Sequence, residues 1–204
     1  MIPRTALAFD GSTVDGSAYR EVTRLADQAP GWLDGAVSTW STYGLAVFAV
    51  LMVAAWWRAR RASPTAAVAA LSVPVVVVAA YALNDVVKVL VREDRPCRRL
   101  HVATLESCPA PGDWSFPSNH AAIAAAAAVA LLFVSRRLGV VAVVAACAMA
   151  ASRVWVGAHY PHDAAAGLLV GAVVGALLMC VVRRWPTALA RRLTATRLRV
   201  LLVA

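Results

Sequence analysis

Three clusters of ionisable residues interrupt an otherwise apolar chain, and their residue types and spacing suit the handling of a phosphate group. The first is Lys88-Val-Leu-Val-Arg-Glu-Asp-Arg95-Pro96. Lys88 and Arg95 are nearly two helical turns apart, so both can point to one side of a helix, which Pro96 is expected to end. Two fixed cations on one face suit a phosphate dianion; the alternative is a pair of interfacial residues snorkelling toward water. The second cluster is Trp114-Ser-Phe-Pro117-Ser118-Asn119-His120. Pro117, Ser118 and Asn119 make a helix start, where free N–H groups and the dipole favour an anion. His120, just beyond it, is placed to be a general acid to a leaving oxygen, or is a surface histidine behind a plain N-cap. The third is Ser152-Arg153-Val-Trp-Val-Gly-Ala-His159-Tyr-Pro-His-Asp163. It matches a phosphate ligand, a nucleophile and an orienting carboxylate: Asp163 holding one imidazole nitrogen would leave the other free to attack. The plainer alternative is a charged turn with Asp163 as a helix cap.

The elements that must position these clusters are membrane spans. Of 204 residues, 61% are hydrophobic, against about 45–50% in soluble domains, and the excess lies in long runs. Segments 38–57, 65–91, 118–134, 138–156 and 163–182 are apolar and approach the ~20 residues a bilayer requires. The two shortest, 118–134 and 138–156, are expected to extend into flanking polar residues. The expected fold is an all-α integral membrane bundle of five transmembrane helices plus an N-terminal interfacial helix. The latter is expected over 13–30, with Val14, Ala18, Val22 and Leu25 at helical spacing. The organisation expected is an extracytoplasmic or interfacial segment 1–37, a transmembrane domain 38–184 and a basic cytoplasmic tail 185–204.

The formal charge of +9 would suggest nucleic acid in a soluble protein, but the basic residues sit mainly between apolar runs, so membrane topology explains them better. Arg58, Arg60 and Arg61, then Arg136 and Arg137, then Arg183 and Arg184 follow alternate spans, and Arg191, Arg192, Arg197 and Arg199 lie in the tail. With five spans they share one side, cytoplasmic by the positive-inside rule. The N-terminus, where Arg4, Arg20 and Arg24 are outnumbered by five carboxylates, and all three clusters then face the outside of the plasma membrane. No cleavable signal peptide is visible in that segment.

The clusters resemble the motifs of the type 2 phosphatidic acid phosphatase superfamily of lipid phosphatases. That family shows lysine, six residues and Arg-Pro; then Pro-Ser-Gly-His; then Ser-Arg, five residues, histidine, three residues and aspartate. Lys88 to Pro96 and Ser152 to Asp163 match at every defining position, and Asn119 stands where the family usually has glycine. The resemblance implies a helical bundle and a two-step reaction without cofactor or metal. His159 would attack phosphorus, oriented by Asp163. Lys88, Arg95, Arg153, Ser118 and the Asn119 amide would stabilise the transferring oxygens, and His120 would protonate the leaving group. Water would then hydrolyse the phosphohistidine. A polar residue at position 119, whose side chain narrows the pocket or adds a donor, is similar to the bacitracin-resistance type of undecaprenyl pyrophosphate phosphatase. That resemblance implies a lipid pyrophosphate substrate and recycling of a cell-wall carrier lipid. Phosphatidate, phosphatidylglycerol phosphate and a polyprenyl-phosphosugar phosphate are the alternatives. A non-catalytic lipid-phosphate binding or transport protein would need the cations but not His120, His159 and Asp163, and a membrane scaffold would need none of them.

Other residues have two readings each. Asp85 either tunes Lys88 or forms a structural ion pair with it. Arg98, Arg99 and His101 either meet a second phosphate or form a solvated loop. Cys97 and Cys108 are either bridged or free thiols. Trp114, Trp155 and Tyr160 fit an interfacial aromatic belt, and His162 flanks the site. Gly167, Gly171 and Gly175 form a stripe that packs within the bundle or in a homodimer.

Overall fold

A computed structural model of the chain describes residues 8–184 and 186–202, so Arg4 and the last two residues of the tail lie outside the description. Every regular element among the described residues is helical. Helix α1 (Ser12–Asp27) precedes α2 (Gly31–Tyr43) and α3 (Leu45–Ala59), which are bent by 53° across Gly44. Glycine is a weak helix former at which helices commonly kink. It also allows a close approach here, since a Cβ at Gly44 would lie 2.7 Å from Met149 Cε.

The longest helix, α4 (Pro64–Val91), opens on Ser63, whose hydroxyl accepts from the Ala66 amide at 3.1 Å. It ends at Val91, with Arg92 in the left-handed region at φ 55°. Pro96 therefore does not end the helix that bears Lys88; it opens the short α5 (Pro96–Arg99). Arg95 lies in extended backbone and reaches the site from a loop, rather than from two turns along the same helix face. The remaining helices are α6 (Asn119–Val134), α7 (Arg136–Trp155), α8 (Pro161–Val182) and α9 (Pro186–Thr194), followed by a 3₁₀ turn at Arg197–Leu201.

α6 is the axis of the bundle. Its alanines from Ala124 to Ala128 are buried, and α4, α7 and α8 surround it. The glycine stripe of α8 faces α6: a Cβ at Gly167 would sit 2.4 Å from the Ser118 carbonyl oxygen, and one at Gly171 would sit 2.1 Å from that of Ala122. The stripe is thus occupied within the chain. Residues such as Leu90 on α4, Val144 on α7 and Leu169 on α8 form an exposed apolar exterior, the arrangement of helices that meet lipid.

Among the described residues three helices, α4, α7 and α8, are long and apolar enough to cross a membrane, and α2–α3 makes a fourth if it is one bent span. α7 gains length from Arg136, as expected. α6 does not: its 16 residues, about 24 Å, stop where Ser135 turns extended. α1 forms where expected, but Tyr19, Thr23 and Ala26 face the bundle, joined by Val22 of the expected apolar set, while Val14, Ala18 and Leu25 face outward. Asp34 caps no helix; it accepts from Trp155 Nε1 at 2.9 Å.

Candidate active site

The ends of α4, α6 and α7 and the start of α8 converge with the loops after α4 and α5. Ser115, in the loop before α6, is their junction. Its hydroxyl donates to Asp163 Oδ2 at 2.5 Å and lies 3.5 Å from His159 Nδ1. Its carbonyl accepts from Lys88 Nζ at 3.3 Å, beside the Trp114 carbonyl at 2.9 Å. Among the described residues Lys88 makes no ion pair with Asp85, although the Asp85 charge still acts on it, which leaves the tuning alternative.

His159 is 2% exposed, in the turn between α7 and α8. Nδ1 lies 3.3 Å from Asp163 Oδ2, and Nε2 lies 2.9 Å from Arg95 Nη1. A guanidinium cannot accept a proton, so Nε2 presents its lone pair and Nδ1–H points at Asp163. Burial, and then the Arg95 charge, hold this imidazole well below its usual protonation range. Asp163 Oδ2 also accepts from the Tyr160 amide at 2.9 Å, which fixes the carboxylate against the turn.

The α6 N-terminus closes the site. The Ser118 amide donates to the Asp163 carbonyl at 3.0 Å, and its buried hydroxyl has no hydrogen-bond partner and caps none of the first-turn amides. Those amides remain the kind of donors that hold an anion. Asn119 turns its side chain aside: its Oδ1 accepts from Asn84 Nδ2 of α4 at 2.7 Å, and the same Asn84 amide reaches the Pro117 carbonyl at 3.2 Å. His120 is half-buried in the fields of Arg153, Glu106, Arg95 and Lys88.

Two of the three cations are already held by carboxylates. Arg95 pairs with Asp113 at 2.8 Å and donates to the Ala158 carbonyl at 2.9 Å. Arg153 pairs with Glu106 at 2.8 Å and also donates to Ser41 of α2. Cys97 and Cys108 are bridged, the first of the two alternatives, and the disulfide closes the loop that carries Glu106, with Asp113 just beyond it. Arg98 donates to the Pro109 carbonyl and so ties α5 to this loop, while Arg99 pairs with Asp94 at 2.6 Å in the segment between α4 and α5. Tyr160 is fully buried, stacked on His162 at 5.4 Å and packed on Tyr19, and belongs to no interfacial belt.

Ser115, Asp113, Glu106, Ser41 and Asn84 escaped sequence reading. Ser115 lies inside the second cluster and could have been suspected; the others meet the site only through tertiary packing. His162 does more than flank the site, since it joins Asp15 of α1 to Glu93. Glu93, His162 and Asp163 also offer ligand atoms within 4.8 Å of one another, a metal-competent grouping that the sequence did not reveal.

The PAP2 superfamily profile matches residues 69–186. The chain belongs to the PAP2 superfamily. Among its PAP2 relatives, the chain is 30% identical to undecaprenyl-diphosphatase BcrC of Bacillus subtilis over 145 residues, 71% of this chain and 72% of that protein. It is 41% identical to the decaprenylphosphoryl-5-phosphoribose phosphatase of Mycobacterium tuberculosis over 100 residues, 48% of this chain and 53% of that one. It is 36% identical to an undecaprenyl-diphosphatase of Sulfolobus acidocaldarius over 101 residues, 49% and 48% of the two chains. With these last two the match spans only about half of the relative. No solved structure matches the chain. The PAP2 match spans all three clusters and begins after α1, α2 and α3.

Proposed function

We propose that this PAP2 protein is a membrane phosphatase that hydrolyses a polyprenyl pyrophosphate, undecaprenyl pyrophosphate being the leading substrate, through a phosphohistidine intermediate. The observation that carries the reading is His159: a buried, neutral imidazole with one nitrogen on Asp163 and the other beside Arg95.

In the first step Nε2 of His159 bonds to the terminal phosphorus while the bond from phosphorus to the bridging oxygen breaks. That oxygen leaves with its electron pair and takes a proton from His120. As positive charge grows on the ring, Asp163 stabilises Nδ1–H. Arg95 must turn from Nε2 to a phosphoryl oxygen, joining Lys88, Arg153, Ser118 and the Asn119 amide around the transferring group. In the second step water bonds to phosphorus, the P–N bond breaks back to His159, and the water proton passes to His120. Polyprenyl phosphate and inorganic phosphate leave. No step requires a metal or cofactor.

We read α2–α3, α4, α6, α7 and α8 as five spans in a plasma-membrane domain over 38–184, with 1–37 outside and 185–204 cytoplasmic. Two observations support that orientation. The arginines at the ends of α3, α6 and α8 lie at the pole opposite the site, and the disulfide at the site end suits an oxidising compartment. A homodimer is compatible with this arrangement but would have to use another surface than the glycine stripe.

The Mycobacterium tuberculosis relative favours a second substrate, a polyprenyl-phosphosugar phosphate. Phosphate release by purified protein in detergent with a chelator present tests both, with phosphatidate as a third substrate and His159→Ala as control. Chelator-resistant turnover fastest on the pyrophosphate and lost in the variant supports the leading reading. Preference for the phosphosugar phosphate or phosphatidate moves the substrate and keeps the mechanism. Turnover that survives His159→Ala refutes the nucleophile, and loss with chelator refutes metal independence.

A further inference from the structure

The α1 helix lies outside the PAP2 match, yet it grips both ends of the segment that carries His159. Tyr19 donates its hydroxyl to the Gly157 carbonyl at 2.9 Å. At Asp15 the backbone of α1 leaves helical geometry. There its carboxylate accepts from the His162 amide at 2.7 Å and lies 2.7 Å from His162 Nδ1. On the far side of the ring, Nε2 is 3.0 Å from Glu93 Oε1 and 3.5 Å from Asp163 Oδ1. Glu93 is 1% exposed, and among the described residues His162 is its ion-pair partner. Ionised carboxylates only accept, so both ring nitrogens of His162 donate when Asp15 and Glu93 are charged; burial pushes the Glu93 carboxyl up to about 7. Ser115, Tyr160 and His159 thus hold Asp163 at Oδ2, while His162 acts on Oδ1 by charge from 3.5 Å, that oxygen having no hydrogen-bond partner among the described residues.

We propose that Asp15 and His162 are positioning residues for the Asp163–His159 pair, so that docking of α1 sets the orientation of the nucleophile. The proposal rests on the phosphohistidine reading for its kinetic consequence, but not for its geometric one. Small displacements of a reacting group cost up to about 100-fold in rate, which sets the effect to look for.

The test compares Asp15→Asn and His162→Gln with Arg24→Ala, whose exposed pairing with Glu21 on α1 is remote from the site. Rates are expressed per folded protein. Expected is a fall in kcat of about 10- to 100-fold in the first two with little change in KM, a displaced pH–rate profile, recovery in Asp15→Glu, and no effect in Arg24→Ala. A purely structural role would lower the folded fraction and leave the profile of the remainder unchanged, and that result overturns the proposal. Nitrogen NMR of histidine-labelled resting protein supplies an activity-free arm. It should find both His162 ring nitrogens protonated and the His159 Nδ1 proton perturbed by Asp15→Asn. An unperturbed His159, or a metal on His162 Nε2, overturns the proposal. Turnover surviving His159→Ala would refute the nucleophile alone, because the NMR arm reads the imidazoles directly.

Discussion

Adding one methyl group at three successive glycines of α8 should give three different outcomes, because each would meet a different part of α6. At Gly171 the new Cβ would lie 2.1 Å from the Ala122 carbonyl oxygen, 2.9 Å from its carbon and 3.0 Å from its Cα. All three are backbone atoms of a buried helix, so the helices themselves must separate. Overpacking of this kind costs about 1–3 kcal/mol, roughly 2–12 °C in Tm for a chain of this length. At Gly175 the nearest atoms are 3.2, 3.3 and 3.4 Å away, a misfit of a few tenths of an ångström. The ~1 kcal/mol by which alanine favours a helix over glycine would offset it, so Gly175→Ala should be near neutral. At Gly167 the clash is with the Ser118 carbonyl at 2.4 Å, one residue before the helix start that faces the site. Gly167→Ala should therefore lose activity out of proportion to stability. Thermal unfolding in detergent, with phosphate release measured on the folded fraction, reads all three. Equal destabilisation by Gly171→Ala and Gly175→Ala, or none by either, would refute this account of the α6–α8 contact.

Three further outcomes are expected. Cys97→Ser should lower both Tm and kcat, because the disulfide closes the loop that supplies Glu106 to Arg153 and anchors the segment that leads on to Asp113; reductant should reproduce the loss in wild type and add nothing in the variant. Because folding holds the His159 imidazole below the 6.5 of the unfolded chain, the unfolded state binds a proton that the folded state refuses. Its contribution to stability should therefore be flat above about pH 6.5 and fall as pH drops below it, a slope that His159→Gln should reduce in Tm-against-pH measurements. Asn119→Gly, which restores the usual family residue, should cost about 1 kcal/mol by removing the Asn84 hydrogen bond. It should leave kcat within a few-fold, since that side chain points to α4.

The spacing of lysine, arginine, histidine and aspartate disclosed the candidate site because these side chains lie at helix ends or in the short segments beside them, which are punctuated by proline and polar residues visible in one dimension. Arg95 does lie beside His159, but from a loop and not from the expected helix position. The seven-residue interval is compatible with two turns, and nothing local announces the left-handed exit at Arg92. The apolar spacing of α1 did not disclose what docks it, for a related reason. Val14, Ala18 and Leu25 are exposed and only Val22 of that set packs on the bundle, while the polar contacts that dock the helix run through Asp15 and Tyr19. A hydrophobic pattern reports which face avoids water, and in a lipid environment that face need not be the one that meets protein. Gly44 could have been flagged as a weak point in the first span, but its close approach to Met149 on α7 is tertiary and leaves no local signal.

The carboxylates on Arg95 and Arg153 bear on how the site releases product. On the proposed mechanism, a phosphate cradle with two unpaired guanidinium groups would hold inorganic phosphate tightly and slow turnover, and Asp113 and Glu106 would compete with the anion for both. The two pairs differ in screening. Asp113 is 49% exposed, so water weakens its hold, whereas Arg153 and Glu106 are 9% and 29% exposed. Glu106→Gln should therefore tighten inhibition by phosphate more than Asp113→Asn does. Tenfold tightening corresponds to about 1.4 kcal/mol, the upper range for a partly screened pair. Inhibition constants for phosphate and vanadate, measured at fixed ionic strength, read the difference. A weaker phosphate affinity in Glu106→Gln would mean that Glu106 holds Arg153 in its binding pose rather than competing for it, and the carboxylates would then be scaffolding for the cradle instead of its release device.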